Sequence, residues 1–473
     1  MKLKFNAALY LAMIAVMVSI ILLVLNLGKD LKSTVVSTAA GTAAEEHLSS
    51  SLMQTLSSPL IIFILQLIII IVTAQLFVML VKKIGQPAVI GEIIAGIVLG
   101  PSLVGAVLPG FSAFIFREDS LGNLQMLSQV GLVLFMFVVG MELNLEALKK
   151  KAKAAVVISH ASILVPYLFG VVLAFFLYKY YAPGNIPFYA FALFMGIAMS
   201  ITAFPVLARI IKERNMVQTR LGTIALTCAA ADDITAWCLL AFVIAIVKAG
   251  SLSASLYTII FTVAFIAAML YLVKPVLKRV IEKKNSSGKI SRASIALVFI
   301  VLLSSAFISE LIGIHALFGA FLAGVIMPYS YNFREEVTAR TEDVATVLLL
   351  PLFFVFTGLR TQVGLLNDLS SWMICLLIAA IAVAGKFGGS AIAAKITGES
   401  TYNSLAIGTL MNTRGLVELV VLNIGYDLGI LTPELFTMFV IMALVTTFMT
   451  NPMLSLLNRK FPEAAKSAGA VHP

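Results

Sequence analysis

Charge is what this sequence has least of. Charged side chains make up 12% of its 473 residues, about half the share of an ordinary soluble domain, and the mean hydropathy is +1.04. That scarcity excludes a set of soluble domains, although the length alone would suggest roughly three of them. Cysteine is scarce as well. Cys228, Cys238 and Cys375 lie far apart inside apolar runs, so the spacings that disulfide or metal sites need are missing and the three read as small hydrophobes. The four histidines are scattered, no glycine-rich phosphate loop follows a strand, and His315 reads as a packed or capping residue. Soluble catalysis therefore has no support, and no cofactor is expected.

What is present is apolar sequence in lengths of about 20 residues, which is what a helix needs to cross a bilayer. Candidate spans lie near 8–26, 59–81, 86–104, 127–145, 155–178, 188–211 and 222–247, then near 253–273, 293–310, 314–328, 345–364, 372–395, 402–425 and 434–457. The expected fold is an all-α polytopic membrane protein. If Lys2 and Lys4 stay in the cytoplasm, that side also receives Lys82 and Lys83, the run Lys149, Lys150, Lys151 and Lys153, then Lys212, Arg214 and Arg220, and the cluster from Lys274 to Arg292. The other side keeps scattered charges such as Lys29, Lys32, Arg117, Lys179, Lys248 and Arg360. This is the positive-inside asymmetry, and it predicts an even number of spans with both termini cytoplasmic. The net charge of +10 then orients the chain in a lipid bilayer and calls for no nucleic acid.

Residues 1–58 form a unit of their own, an extra N-terminal span followed by a linker from Gly28 to Ser58 rich in Ser, Thr and Ala. A basic start before an apolar stretch also fits a signal peptide, but this stretch is longer than the usual signal core, and an uncleaved span is expected. The remainder divides into a first six-helix repeat at 59–247, a linking helix and cytoplasmic loop at 248–292, a second six-helix repeat at 293–457 and a short cytoplasmic tail at 458–473. The halves resemble each other at corresponding helices. GEIIAGIVLG from Gly91 aligns with GAFLAGVIMP from Gly319, sharing Ala95 with Ala323 and Gly96 with Gly324. FMFVVGMELNLEAL aligns with FFVFTGLRTQVGLL, placing Phe135 opposite Phe353 and Gly140 opposite Gly358. The matched helices run oppositely through the membrane, the inverted-repeat plan of many secondary transporters, whose ion site lies at the midplane between halves.

The chemistry concentrates in GTIALTCAAADDITAWCLLAFVIAIV, where Asp232 and Asp233 fall near the middle of a span. A carboxylate at that depth needs a partner, a watered cavity or a proton, and marks a functional site by default. Neighbouring helical residues point about 100° apart, so the two acids can take different tasks. One faces a cavity and binds a proton or a dehydrated cation; the other faces a basic partner. Burial and a nearby cation act in opposite senses on a carboxyl group's proton affinity, so such a site can be set to make the two ions compete. Lys386, deep in WMICLLIAAIAVAGKFGGSAIAAK of the other half, is too far from the cytoplasmic end to snorkel and is the basic partner. An inert salt bridge is the plainer reading of that lysine, and it is compatible with transport.

Two spans carry polar breaks at matching places in the halves. One is SITAFPVLAR, with Thr202 and Pro205; the other is TLMNTRGLVELV, with Asn412, Thr413, Arg414 and Gly415. Each reads as an interrupted helix whose freed carbonyls and half-helix ends line an ion cavity. A kink without ligation by Thr202 is the alternative. Arg414 and Glu418, four apart on one face, neutralise each other.

Over about residues 59–457 the chain resembles the sodium/hydrogen exchanger family, in the cation:proton antiporter branch with the plant cation/proton exchangers and NapA-type bacterial antiporters. The carriers are GQPAVIGEIIAGIVLGP at 85–101, SITAFPVLAR at 200–209, ADDITAW at 231–237, GIHALFGAFLAGVIMP at 313–328 and LMNTRGLVELVVLNIG at 410–425. The resemblance implies an inverted-repeat antiporter fold with two crossed discontinuous helices, a separate dimerisation domain in a homodimer, and elevator-like alternating access in a bacterial inner membrane. It implies that Asp233 binds the cation (Na+ or K+, with Li+ open) or a proton, that Asp232 pairs with Lys386, and that exchange is electrogenic. The family's nucleotide-binding tail has no counterpart after Lys460, which weighs against a potassium efflux channel-like role. An intramembrane aspartyl protease also uses two membrane aspartates, but from different helices and with a GxGD-like sequence; only Gly425-Tyr426-Asp427 comes near it, at a helix end.

Overall fold

The computed structural model describes residues 58–142, 153–184, 186–216, 219–249, 252–284, 290–328 and 331–467. All regular elements among the described residues are helices. The expected first span at 8–26 and most of its linker lie outside them. Twelve helices are long and apolar enough to cross a membrane, and a shorter apolar helix, Ala316–Val325, joins them. Together they match the thirteen spans expected from residue 59 onward, and the chain is a multi-pass membrane protein.

The first half supplies α1 (Pro59–Lys83), α2 (Ala88–Leu99), α3 (Glu118–Glu142), α4 (Lys153–Tyr181), α5 (Phe188–Ser200), α6 (Phe204–Glu213) and α7 (Arg220–Ala249). A linking helix, α8 (Leu252–Ala268), leads to the second half. That half begins with α9 (Arg292–Ile312), α10 (Ala316–Val325), α11 (Tyr331–Asp343) and α12 (Leu350–Arg360). It ends with α13 (Leu369–Val383), α14 (Gly389–Ile396), α15 (Thr401–Met411), α16 (Leu416–Asp427) and α17 (Pro433–Lys460). Three bounds differ from expectation, the first being that the linking helix expected to end near 273 runs on through Met269–Val273 into Lys274–Lys284, where the expectation had a loop. The helix expected at 127–145 starts at Glu118, and the one expected at 345–364 starts at Tyr331, because each opens with charged or polar turns that apolarity does not register.

The helices pack by place in the repeat, not by half. The early members of each half join one another: α3 packs on α10, and α2 on α12. The later members form a second group, in which α4 packs on α5, α7 and α14, and α17 on α13, α15 and α16. The first group is held by close backbone approach at the glycines that the repeat alignment pairs. A Cβ on Gly96 would lie 2.5 Å from the Val355 carbonyl oxygen, and one on Gly358 would lie 2.5 Å from the Gly96 Cα. Gly140 and Gly324 abut in the same way between α3 and α10. Since Gly96 aligns with Gly324 and Gly140 with Gly358, the second contact is the repeat image of the first. Small residues of this kind let membrane helices approach without a hydrophobic driving force.

Burial separates centre from rim. The α5–α6 span and the α15–α16 span are 89% and 94% buried, whereas the α1 span is 28% and the α8 span 11% buried. The two broken helices thus occupy the middle of the bundle, with α1 and α8 at its edge.

Candidate functional site

Both expected breaks are present. Ile201–Ala203 separates α5 from α6, and Asn412–Gly415 separates α15 from α16. Pro205 stands in the first turn of α6, where its missing N–H removes no helical bond. The two unwound stretches lie against each other: the Ala203 amide donates to the Thr413 carbonyl at 3.1 Å, and the Thr202 hydroxyl reaches the Met411 carbonyl at 3.3 Å.

A helix that stops in mid-membrane leaves its last carbonyls without partners and its negative end exposed. Two cations from the other half occupy that end of α5. Arg414 donates to the Ala198 and Met199 carbonyls at 2.9 and 2.6 Å, and Lys386 donates to the Ser200 carbonyl. Arg414 is itself paired with Glu418 at 3.0 Å, both fully buried. Thr447 on α17 clamps the same residue, taking the Arg414 amide at 3.2 Å and donating to its carbonyl at 2.7 Å. Beside it the Thr413 and Thr450 hydroxyls are 3.2 Å apart.

The two adjacent aspartates have opposite surroundings. Asp232 is saturated: it accepts from Ser159 at 2.6 Å, from Ser162, from Thr202 at 2.9 Å and from the Lys386 ammonium at 3.2 Å. Lys386 sits in a π-helical turn, Ala384–Gly388, between α13 and α14; such turns re-aim side chains and recur at functional sites. The ammonium also donates to the Ser162 carbonyl at 2.9 Å. Asp233, equally buried, has no hydrogen-bond partner on either carboxyl oxygen. The Phe204 amide at the start of α6 faces that carboxyl without reaching hydrogen-bond geometry. A second buried side chain, Asn412, is unpartnered at both amide atoms.

Counted as ionised groups, Asp232, Asp233 and Glu418 stand against Lys386 and Arg414. The excess is one negative charge, located by elimination on Asp233. An isolated carboxylate away from water is costly by several kcal/mol, and a single proton or a single monovalent cation balances it. Thr202 lies on the Asp232 side of the pair: its proton is given to that carboxylate, leaving only lone pairs for any other ligand.

Access is unequal on the two faces. A cavity of about 570 Å³ opens beside the breaks, lined by Pro205, Val206 and Leu416, by Glu92, Glu142 and Glu342, and by Arg209 and Lys212. Asp233 is not on its wall and is fully buried, so the cavity stops short of the carboxyl. At the other face the space among Ser128, Asn423 and Asp427 is about 30 Å³.

Sequence reasoning missed Ser159 and Ser162, whose only signal was a pair of hydroxyls three apart on the inward side of α4. It also missed Glu92, which was used for the repeat alignment alone. His315 behaves as expected, its ring accepting the Leu317 amide at 3.4 Å at the start of α10.

The model of the sodium/hydrogen exchanger transmembrane family matches residues 67–457. The Na(+)/H(+) antiporter NhaS4 of Synechocystis is 42% identical over 399 residues, covering 84% of this chain and 97% of that protein. The Arabidopsis thaliana cation/H(+) antiporter 17 is 39% identical over 396 residues, covering 83% of this chain; the chain spans 48% of that longer relative. Among solved structures, the sodium proton antiporter MjNhaP1 of Methanocaldococcus jannaschii superimposes with a TM-score of 0.58 at 16% identity, over 86% of this chain and 98% of that one. That likeness gives the same fold.

Proposed function

The chain belongs to the sodium/hydrogen exchanger family, and from this premise we propose that it is a secondary active antiporter, exchanging a monovalent cation for protons with Asp233 as the carrier. The observation that carries the residue assignment is the contrast between neighbours: Asp232 is saturated, while Asp233 is buried with both oxygens unpartnered. A proton and a dehydrated cation compete for that one carboxyl, and whichever is bound is what the site moves. Thr202, Asn412 and the carbonyls of the unwound stretches are the neutral oxygens within the same crossing, available to replace a cation's water.

The packing supports a reading by alternating access. The helices α4 to α7 and α13 to α17 carry the crossing as one body, sliding against the body built on α2, α3, α10 and α12. The wide cavity, with Arg209 and Lys212 at its wall, faces the cytoplasm in the orientation that the basic loops favour, and both termini lie on that side of a bacterial inner membrane. The exposed stripe of α1, with Leu60, Ile64, Ile68, Val72 and Leu76, is the face on which a second copy packs to give a homodimer. A cation on Asp233 lets Lys386 release its proton to solvent and regain it when the cation leaves, so two protons, one from Asp233 and one from Lys386, move against one cation and exchange carries net charge. Sodium, potassium and lithium all fit the chemistry of one carboxylate with neutral oxygens. No cofactor enters the cycle.

Everted membrane vesicles carrying a preformed pH gradient test this reading. Addition of sodium, potassium or lithium salt should collapse the gradient for the parent protein and leave it intact for Asp233→Asn. No collapse with any of the three cations would remove the function; full activity in Asp233→Asn would remove the carrier.

A further inference from the structure

At the face opposite the wide cavity, the two helix groups are joined by one polar seam. Arg360 ends α12 and Asp427 ends α16, helices that touch only sparsely. Their side chains pair at 2.8 Å. The same guanidinium donates to Asn423 Oδ1 at 3.1 Å, and Asn423 Nδ2 donates to the Thr357 hydroxyl at 2.8 Å. The ring of Phe356 on its own helix and the ring of Tyr426 on the facing one lie 4.4 and 5.2 Å from the guanidinium carbon. Beyond the end of α12, the Gln362 amide meets the Thr437 hydroxyl of α17 at 3.1 Å.

Three features give this seam a task beyond packing. First, a carboxylate at a helix C-terminus is disfavoured by the helix dipole, while an arginine there is favoured; Asp427 closes α16 against that rule, so its placement answers to Arg360 and not to its own helix. Second, the space behind the pair is about 30 Å³, room for about one or two waters. Its walls nevertheless carry Gln125, Ser128, His315 and Asn423, side chains suited to a wet passage. Third, α16 begins at the break beside Arg414, so motion of the crossing must move Asp427 relative to α12.

Building on the antiport reading, we infer that Arg360 and Asp427 are positioning residues that form an ionic latch: paired, they hold this face shut, and each transport cycle must part and re-form them. The pair is partly exposed, Arg360 by 16% and Asp427 by 39%. Ion pairs so placed are weak, and a latch broken in every cycle has to be.

The test reads opening directly, without transport. Ser128, 2% exposed on the wall of the small space, becomes the reporter as Ser128→Cys in a Cys238→Ala background. The protein is held in lipid nanodiscs so that a charged thiosulfonate reaches both faces, and Cys228 and Cys375 give the blank. Arg360→Gln and the isosteric Asp427→Asn should each speed labelling by about fivefold, and the exchanged pair Arg360→Asp with Asp427→Arg should return the rate towards the parent's. A change of packing alone would not be reversed by exchanging the charges. Single variants that label at the parent's rate, or an exchanged pair as fast as the singles, would overturn the latch. Because no cation gradient is involved, failure of antiport in vesicles leaves this result readable.

Discussion

Two adjacent carboxyls in one helix have been given different lives by their neighbours. Asp232 meets three hydroxyls and an ammonium, while Asp233 meets none; the 100° step between them is enough to put them in different environments. The charged members of the cluster were legible in the sequence because charge inside an apolar run is expensive and therefore conspicuous. The hydroxyls of Ser159, Ser162, Thr447 and Thr450 were not, since such residues occur in membrane helices without any duty. If Lys386 carries a proton in the cycle, Lys386→Gln should retain cation-driven proton movement yet lose most of the current recorded on a solid-supported membrane; unchanged current would leave the lysine an inert counter-charge. Arg414 offers a separate test of geometry. Its two terminal nitrogens serve two carbonyls and Glu418 together, which a point-like ammonium does not reproduce. Arg414→Lys should lower the thermal midpoint and reduce exchange by about ten- to a hundredfold, on the scale of about 1.5–3 kcal/mol for lost charge-assisted bonds; wild-type values for both would show that only its charge matters.

The elements explain why a break in a helix, normally a defect in lipid, is tolerated. Each unwound stretch satisfies the other through the Ala203–Thr413 bond, and cations of the second half occupy the open end of α5. Proline and glycine announced the breaks in the sequence; the partners that satisfy them come from about 200 residues away, a distance over which no local pattern operates. The starts of α3 and α11 were illegible for another reason, since their first turns carry charged and polar side chains that an apolar count passes over. The repeat alignment had paired Gly96 with Gly324 and Gly140 with Gly358, and the structure turns that pairing into two equivalent helix contacts. Overpacking a close approach costs roughly 1–3 kcal/mol or more. Gly96→Leu should therefore abolish a monodisperse peak in detergent, whereas Gly122→Ala, where an added Cβ meets nothing within 4 Å, should elute as the parent does. Equal behaviour of the two variants would mean that the contact does not hold the first group together.

At the scale of the described bundle, a cavity of about 570 Å³ opens beside the breaks, the polar space among Ser128, Asn423 and Asp427 is about 30 Å³, and the Asp233 carboxyl is buried away from both. Such an arrangement suits the alternating access proposed above. The thirteen spans from residue 59 onward were readable from hydropathy, while the expected first span lies outside the described residues. The regrouping of early and late helices was not readable, because it depends on contacts between halves. The most direct measurement of the central claim uses purified protein in proteoliposomes, with internal pH and internal cation concentration recorded in the same sample after a cation gradient is imposed. Cation should enter as protons leave, in fixed proportion, and Asp233→Asn should stop both movements together. Cation flux that runs without proton movement, or coupled flux that survives Asp233→Asn, would contradict the claim.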